Sequence, residues 1–119
     1  TPADDTFLPG YQMQTIVGKG PMLRIIDSKM ITNPRFQRFA VDLAQKHNIP
    51  IQIGVRNGGA TNASAIHLSG QGIPTIVIGI PVRYAHTHWG VSSMEDVTHA
   101  IDLAKVLLTN LNETVIRSF

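Results

Sequence analysis

Residues 54–90, GVRNGGATNASAIHLSGQGIPTIVIGIPVRYAHTHWG, decide how the rest of the chain is read. Asn57, Gly58 and Gly59 end a β-branched run, Asn62 is placed to cap a short helix reaching about Ser69, and Gly70 and Gly72 stop that helix. Ile73 to Ile80 is then almost continuously apolar, the pattern of a strand covered on both faces in a parallel or mixed sheet. Such a strand needs helices above and below. Beyond it, one loop gathers Arg83, Tyr84, His86, His88 and Trp89 where a buried strand ends, the place in which α/β proteins put their chemistry.

Working outward, Pro50 to Val55 alternates as a strand. Thr32 to His47 has a cap candidate in Thr32 or Asn33, Pro34 in its first turn, and Phe36, Phe39, Ala40, Leu43 and Ala44 at helical spacing, which predicts an amphipathic helix. Thr15 to Asp27 holds two β-prone runs, TIVG and MLRIID, and reads as strand, tight turn, strand; Thr1 to Gly10 reads as a loop. Downstream, Ser92 and Ser93 precede Glu95 and Asp96 by three residues each, a doubled capping box. Met94, Val97, Ile101, Ala104, Leu108 and Leu111 then mark the packed face of a helix ending near Asn112. The order β-β-α-β-α-β-loop-α predicts an α/β fold, a layered mixed sheet with flanking helices in one domain.

Composition narrows the partners. Charged residues make up 15% of the 119, against about a quarter in ordinary domains, so part of the surface is expected to face another subunit or domain. The net charge is +2, with no basic run and no interleaved aromatics, which argues against nucleic acid. Absence of cysteine excludes disulfides and thiolate metal sites and fits the cytoplasm. The longest apolar run, Ile73 to Val82, holds two prolines and is too short to span a bilayer, so no membrane partner is expected.

An imidazole in the loop after the central strand suits metal binding, proton transfer or a backbone hydrogen bond, and His86 and His88 both stand there. His67 reads as a buried or edge histidine, His47 and His99 as helix-surface residues. Gly58 and Gly59 ahead of Thr61 and Asn62 either form an anion-binding turn or simply let a strand bend into a helix. No dinucleotide fingerprint, P-loop or nucleophile elbow is present. A catalytic zinc takes about three protein ligands. Asp42, Glu95, Asp96 and Asp102 belong to helix faces or caps, so either the site is not metallic or its remaining ligands lie outside this chain.

The ordered combination of the TPADDT opening, VGKGPMLRIID, NIPIQ, NGGATNASAIHLSGQGIPT and RYAHTH, closed by SSMEDV, resembles the C-terminal half of the catalytic domain of the glutamyl aminopeptidase and deblocking (tetrahedral) aminopeptidase family. These are cytosolic two-metal peptidases of the zinc-exopeptidase type, often labelled endoglucanases or cellulases. The resemblance implies that His86 ligates one of two divalent metals, zinc or cobalt. It places an aspartate ligand just before Thr1, makes Asp4 and Asp5 neighbours of a ligand, and puts the other ligands and the glutamate base outside residues 1–119. Arg83, Tyr84, His88, Gly58, Gly59 and Asn62 become candidates for supporting the metal loop or contacting substrate. Arg56, beside the glycine turn, becomes a candidate for attracting an acidic N-terminal side chain. The family commonly has Asp where Asn62 stands, and its lid and dimerisation segments have no counterpart here.

The expectation is therefore a fragment of a metal-dependent aminopeptidase that removes the N-terminal residue of peptides, glutamyl or aspartyl ones among them. It would be inactive alone, without tightly bound metal, and homo-oligomeric in its parent protein. Two other classes stay open: a non-catalytic assembly or regulatory module, and a glycan hydrolase, which would need two facing carboxylates.

Overall fold

The computed structural model describes all 119 residues, and one strand anchors them. Strand β1 (Met22–Asp27) pairs in parallel with β3 (Gln52–Val55) along one edge. Its other edge is shared: β4 (Val77–Gly79) runs antiparallel to Met22–Arg24, and β2 (Met30–Ile31) turns back antiparallel on Ile26 and Asp27. The sheet is mixed, as expected, but β4 is three residues long and only half-buried at Val77 and Ile78.

Helix α1 (Pro34–Lys46) starts where Asn33 caps it, its side-chain oxygen accepting from the N–H groups of Arg35 and Phe36. Thr32, the other cap candidate, is buried and donates its hydroxyl to the Arg24 carbonyl. Helix α3 (Met94–Asn110) lies against α1, and Leu103 and Leu107 join Leu23, Phe36, Ala40, Leu43 and Ala44 in the core. Alanines one turn apart at 40 and 44 let the second helix approach closely. This corrects the expected face of α3. Met94, Ile101 and Leu108 form a stripe two turns apart that is left exposed, at 75%, 49% and 72%. Both stripes are apolar, and the one opposite the small residues of α1 is buried.

Helices cover one face of the sheet only. Residues from the N-terminal loop take the place of a second helical layer: Thr15 is fully buried and its hydroxyl meets Met22 Sδ, while Asp4 is sealed beneath it at 1% exposure. The run TIVG consequently forms no strand. Its backbone finds side chains instead. Gln52 Oε1 accepts from the Ile16 N–H while Gln52 Nε2 donates to the Ile16 carbonyl, Asp5 accepts from Val17, and Asp96 accepts from Gly18 and Gly20. Side-chain acceptors at fixed positions can satisfy a β-prone backbone as fully as a neighbouring strand does.

Helix α2 is shorter than predicted, spanning Ala63–Ile66, and the Asn62 side chain makes no capping bond because Asn62 already has helical dihedrals. A short α4 (Glu113–Arg117) follows α3, and Phe119 stacks on Phe36 with ring centroids 4.8 Å apart.

Gly20 adopts φ +92, and a Cβ there would lie 2.2 Å from the Pro50 carbonyl oxygen, a rigid backbone atom. Gly20→Ala is expected to destabilise the fold by about 2 kcal/mol or more, since left-handed strain adds to a clash that no side chain can relieve. Denaturant unfolding of the variant checks this, and a loss below about 0.5 kcal/mol would contradict it.

Candidate functional site

Val82 leaves the sheet beside the N-terminal residues. The Thr1 carbonyl accepts from the Val82 N–H, and the Val82 carbonyl accepts from the Ala3 N–H. Arg83 and Val91 then exchange two backbone hydrogen bonds, at 2.9 and 3.2 Å, which close residues 84–90 into a loop. Inside it, the Thr87 hydroxyl bonds the carbonyls of Tyr84 and Trp89. Tyr84 and His86 are held at φ 58 and 65, left-handed values that cost a non-glycine residue on the order of 1–3 kcal/mol. A loop tied at its ends and braced across its middle sustains that strain.

His86 is exposed. It helps line a cavity of about 430 Å³ together with Thr1, Pro2, Arg24, Thr61 and Tyr84. The other candidates are distributed differently. Tyr84 is at the cavity; His88 and Trp89 are exposed beyond it. His67 hydrogen-bonds the Ala63 carbonyl through Nδ1 at 2.8 Å and faces a separate cleft with Ile31 and Asn33. His47 is exposed at the end of α1, whereas His99 is half-buried. Gly58 and Gly59 are exposed, and the Gly59 carbonyl accepts from Ser28. With α2 only four residues long, nothing there builds an anion site of the kind longer helices supply.

Arg83 reaches Asp5 with both Nε and Nη2, at 3.0 and 2.8 Å, so the strand end and the N-terminal loop are clamped by a two-pronged ion pair. The Arg83 guanidinium, helped by the Val17 N–H, holds the Asp5 carboxyl below the usual carboxylate range even though partial burial pulls the other way. In return Asp5 raises the Arg83 pKa further. Because Asp5 is depressed in the folded state, its contribution to stability is present above the unfolded value, about 3.9, and is lost as pH falls through the lower folded value. Melting temperatures measured from pH 7 to pH 2 are therefore expected to fall less steeply below pH 4 in Asp5→Asn than in the parent. Equal slopes would show that this pair carries no acid sensitivity.

Arg56 is committed elsewhere. It donates Nη1 to Asp4 Oδ1 at 2.6 Å and Nη2 to the Pro2 carbonyl and the Thr15 hydroxyl, and it is not part of the cavity wall. An acidic substrate group would have to displace Asp4, so the side chain serves to lock the N-terminal loop onto the sheet. Asp4 is equally occupied, its second oxygen accepting from the N–H groups of Gln14 and Thr15.

No three of the chain's histidines, aspartates and glutamates converge, so these residues alone do not make a metal site. One exposed imidazole on a cavity wall fits a single ligand position and nothing more. One wall residue, Arg24, went unnoticed in the sequence, and Thr61 was read only as part of a candidate anion-binding turn. A basic residue in the middle of the β-prone run MLRIID was the available signal for Arg24. A larger cleft of about 570 Å³ between α1 and the C-terminal residues contains no imidazole, and its Arg35 is bonded to the Ser118 carbonyl.

The M42 glutamyl aminopeptidase family matches residues 1–103. The chain belongs to that family. Among its M42 relatives, the glutamyl aminopeptidase of Lactococcus lactis subsp. cremoris is 32% identical over 112 residues, covering 94% of this chain and 30% of the relative. The lysyl aminopeptidase of Pyrococcus furiosus is 36% identical over 97 residues, covering 80% and 27%. The crystal structure of a TET aminopeptidase from the marine sediment archaeon Thaumarchaeota archaeon SCGC AB-539-E09 superposes with a TM-score of 0.93 at 35% identity, over 98% of this chain and 32% of that one. A TET1 peptidase of Pyrococcus horikoshii, described as assembling into a tetrahedron or a large octahedral shell, matches 82% of this chain and 28% of its own at 31% identity and TM-score 0.73. A Thermotoga maritima structure described as an endoglucanase matches at 26% identity and TM-score 0.66, over 98% and 32%. The M42 chain thus spans about a third of the length of the proteins it matches. No helix in it is long and apolar enough to cross a membrane.

Proposed function

We propose that this chain is the C-terminal part of a catalytic domain in a cytoplasmic, homo-oligomeric, metal-dependent aminopeptidase, with His86 as one metal ligand. The observation that carries the reading is the strained, exposed His86 at the cavity wall. A folded loop does not hold two residues in left-handed geometry without compensation, and such outliers cluster where function requires a fixed side chain. When bound, two divalent metals, zinc or cobalt, supply an activated water and polarise the scissile carbonyl. The chain's own residues perform the positioning. Arg83 and Asp5 fix the base of the loop, Thr87 braces it, and Tyr84 borders the space in which the peptide's N-terminal residue sits. The remaining ligands and the general base come from sequence outside residues 1–119.

The glycan-hydrolase reading gains no support from the carboxylates. Asp4, Asp5, Asp27 and Asp96 are all tied to arginines or backbone N–H groups and present no facing pair to a cavity. The exposed Met94, Ile101 and Leu108 stripe supports assembly with further copies or domains. Hydrolysis of Glu-, Leu- and Lys-p-nitroanilide by the full-length protein, before and after chelation, tests the proposal: chelator-sensitive release of p-nitroaniline supports it, and no release from any of the three with metal restored ends it.

A further inference from the structure

The turn between β3 and α2 holds the chain's one Asn-Gly pair. Asn57 and Gly58 lie outside any helix or strand, and neither the Asn57 amide nor the Gly58 N–H makes a hydrogen bond. Glycine leaves its own nitrogen unshielded, and a Cβ built at Gly58 would meet nothing within 4 Å, so the backbone there has room to turn. The other asparagines are held back, each for a visible reason. Asn33 is followed by Pro34, which has no N–H, and its own oxygen caps α1. Asn48 precedes the branched Ile49, whose N–H is spent on the Ala44 carbonyl. Asn62 sits in helical dihedrals at the start of α2, Asn110 donates its amide to the Val106 carbonyl, and Asn112 accepts from the Val115 N–H. Each of these differences is set within about a turn of the asparagine itself, and none depends on sequence outside residues 1–119.

We propose that Asn57 is a deamidation site whose isoaspartyl product shifts the wall of the His86 cavity. Asparagine is among the thermolabile residues, and a following glycine makes it most so. The Gly58 nitrogen, its proton lost to hydroxide, attacks Asn57 Cγ; the new N–Cγ bond closes a succinimide ring, and the side-chain nitrogen leaves as ammonia. Water then opens the ring. Cleavage of the new N–Cγ bond gives aspartate, and cleavage of the original peptide C–N bond gives isoaspartate, in which the main chain runs through Cγ. Either way one water is consumed and one ammonia released. The isoaspartyl chain is longer by one backbone carbon between two tethers. Upstream, the Arg56 N–H donates to the Ile26 carbonyl and its guanidinium holds Asp4; downstream, the Gly59 carbonyl accepts from the Ser28 N–H and hydroxyl. Lengthening that span pushes against the Gly59 tether, and directly beyond it stand Ala60 and Thr61, two residues of the cavity wall. The effect on turnover rests on the aminopeptidase reading; the modification itself does not.

The test ages the full-length protein in mildly alkaline buffer and maps its peptides by mass spectrometry. Asn57 is expected to gain the one mass unit of an amide-to-acid change and to give two products, the isoaspartyl one accepting a methyl group from a protein isoaspartyl methyltransferase. Gly58→Ala, whose Cβ finds open space but hinders the attack, is expected to slow the conversion severalfold. Conversion of Asn57 no faster than that of Asn48, or at an unchanged rate in Gly58→Ala, overturns the site. For the cavity, kcat/KM on Leu-p-nitroanilide is expected to fall in step with the isoaspartyl fraction, and to hold steady in Asn57→Gln aged alongside, because glutamine closes its larger ring far more slowly. A rate that stays constant through full conversion overturns the effect on the cavity. If fresh protein cleaves no p-nitroanilide, the aminopeptidase reading fails while the mass readout still decides the modification.

Discussion

Alanine at His86 is expected to cost the full-length protein one metal equivalent and more than about a hundredfold in kcat/KM on aminoacyl p-nitroanilides. The bound follows from a comparison: residues that merely orient a ligand cost roughly 10- to 100-fold when removed, so loss of a ligand itself must exceed that. Stability should move the other way. His86 is exposed, and its φ of 65 is a strained value for a residue with a side chain, so Gly in its place would relieve strain. His86→Gly is therefore expected to melt no lower than the parent while losing metal and turnover, a combination that separates a functional residue from a structural one. Elemental analysis, kinetics and a melting curve on the same preparation suffice. Metal content and rate unchanged in both variants would remove His86 from the site and take the carrying observation of the proposed function with it.

How far the sequence could be read depended on whether a signal was local. Helix α1 was legible because Asn33, Pro34 and the apolar spacing of Phe36, Ala40, Leu43 and Ala44 all act within the element itself. Strand β1 was legible for the same reason. The run TIVG was not, because what satisfies it arrives from far away: Gln52 is 36 residues distant from Ile16, and Asp96 is 78 from Gly18. Propensity says that a backbone will extend but not what it will bond. The face of α3 failed for a related reason. Met94, Ile101 and Leu108 are as apolar as Leu103 and Leu107, and only the alanines of α1 distinguish them.

The site divides along the same line. Crowding of donors around His86 could be seen in one short loop, and the resemblance supplied a role for the ring. Neither could show that Arg56 is spent on Asp4, since that pair spans 52 residues, nor that Arg24 lies on the cavity wall. Left-handed backbone at Tyr84 and His86 was also invisible, because positive φ is uncommon outside glycine and the compensating bonds come from Thr87 and the Arg83–Val91 pair.

Asp96 is where the largest loss of stability is expected. It occupies the first turn of α3 and is fully buried, but it does not complete the doubled capping box that its spacing suggests. Ser93 alone caps the helix, accepting from the Glu95 N–H, while Ser92 donates its hydroxyl to the Pro81 carbonyl. The Asp96 carboxylate instead takes the N–H groups of Gly18 and Gly20, one on each oxygen and both at 2.7 Å. Those bonds join the start of α3 to the turn that feeds β1, and the positive end of the helix dipole favours the charge where it stands. Asp96→Ala deletes two charge-assisted bonds and leaves the buried Gly20 N–H without an acceptor. At about 1.5–3 kcal/mol for a hydrogen bond to a charged group, a loss of roughly 3–5 kcal/mol follows, comparable to the whole stability of a small domain. Asp96→Asn keeps the volume and one acceptor oxygen but turns an amide NH2 toward the second glycine N–H, so it should retain about half. Denaturant titrations of the two variants give the order Asp, Asn, Ala if the carboxylate holds the turn. An alanine variant within about 1 kcal/mol of the parent would mean that the turn keeps its shape without it, and that the contact is a consequence of the fold and not one of its causes.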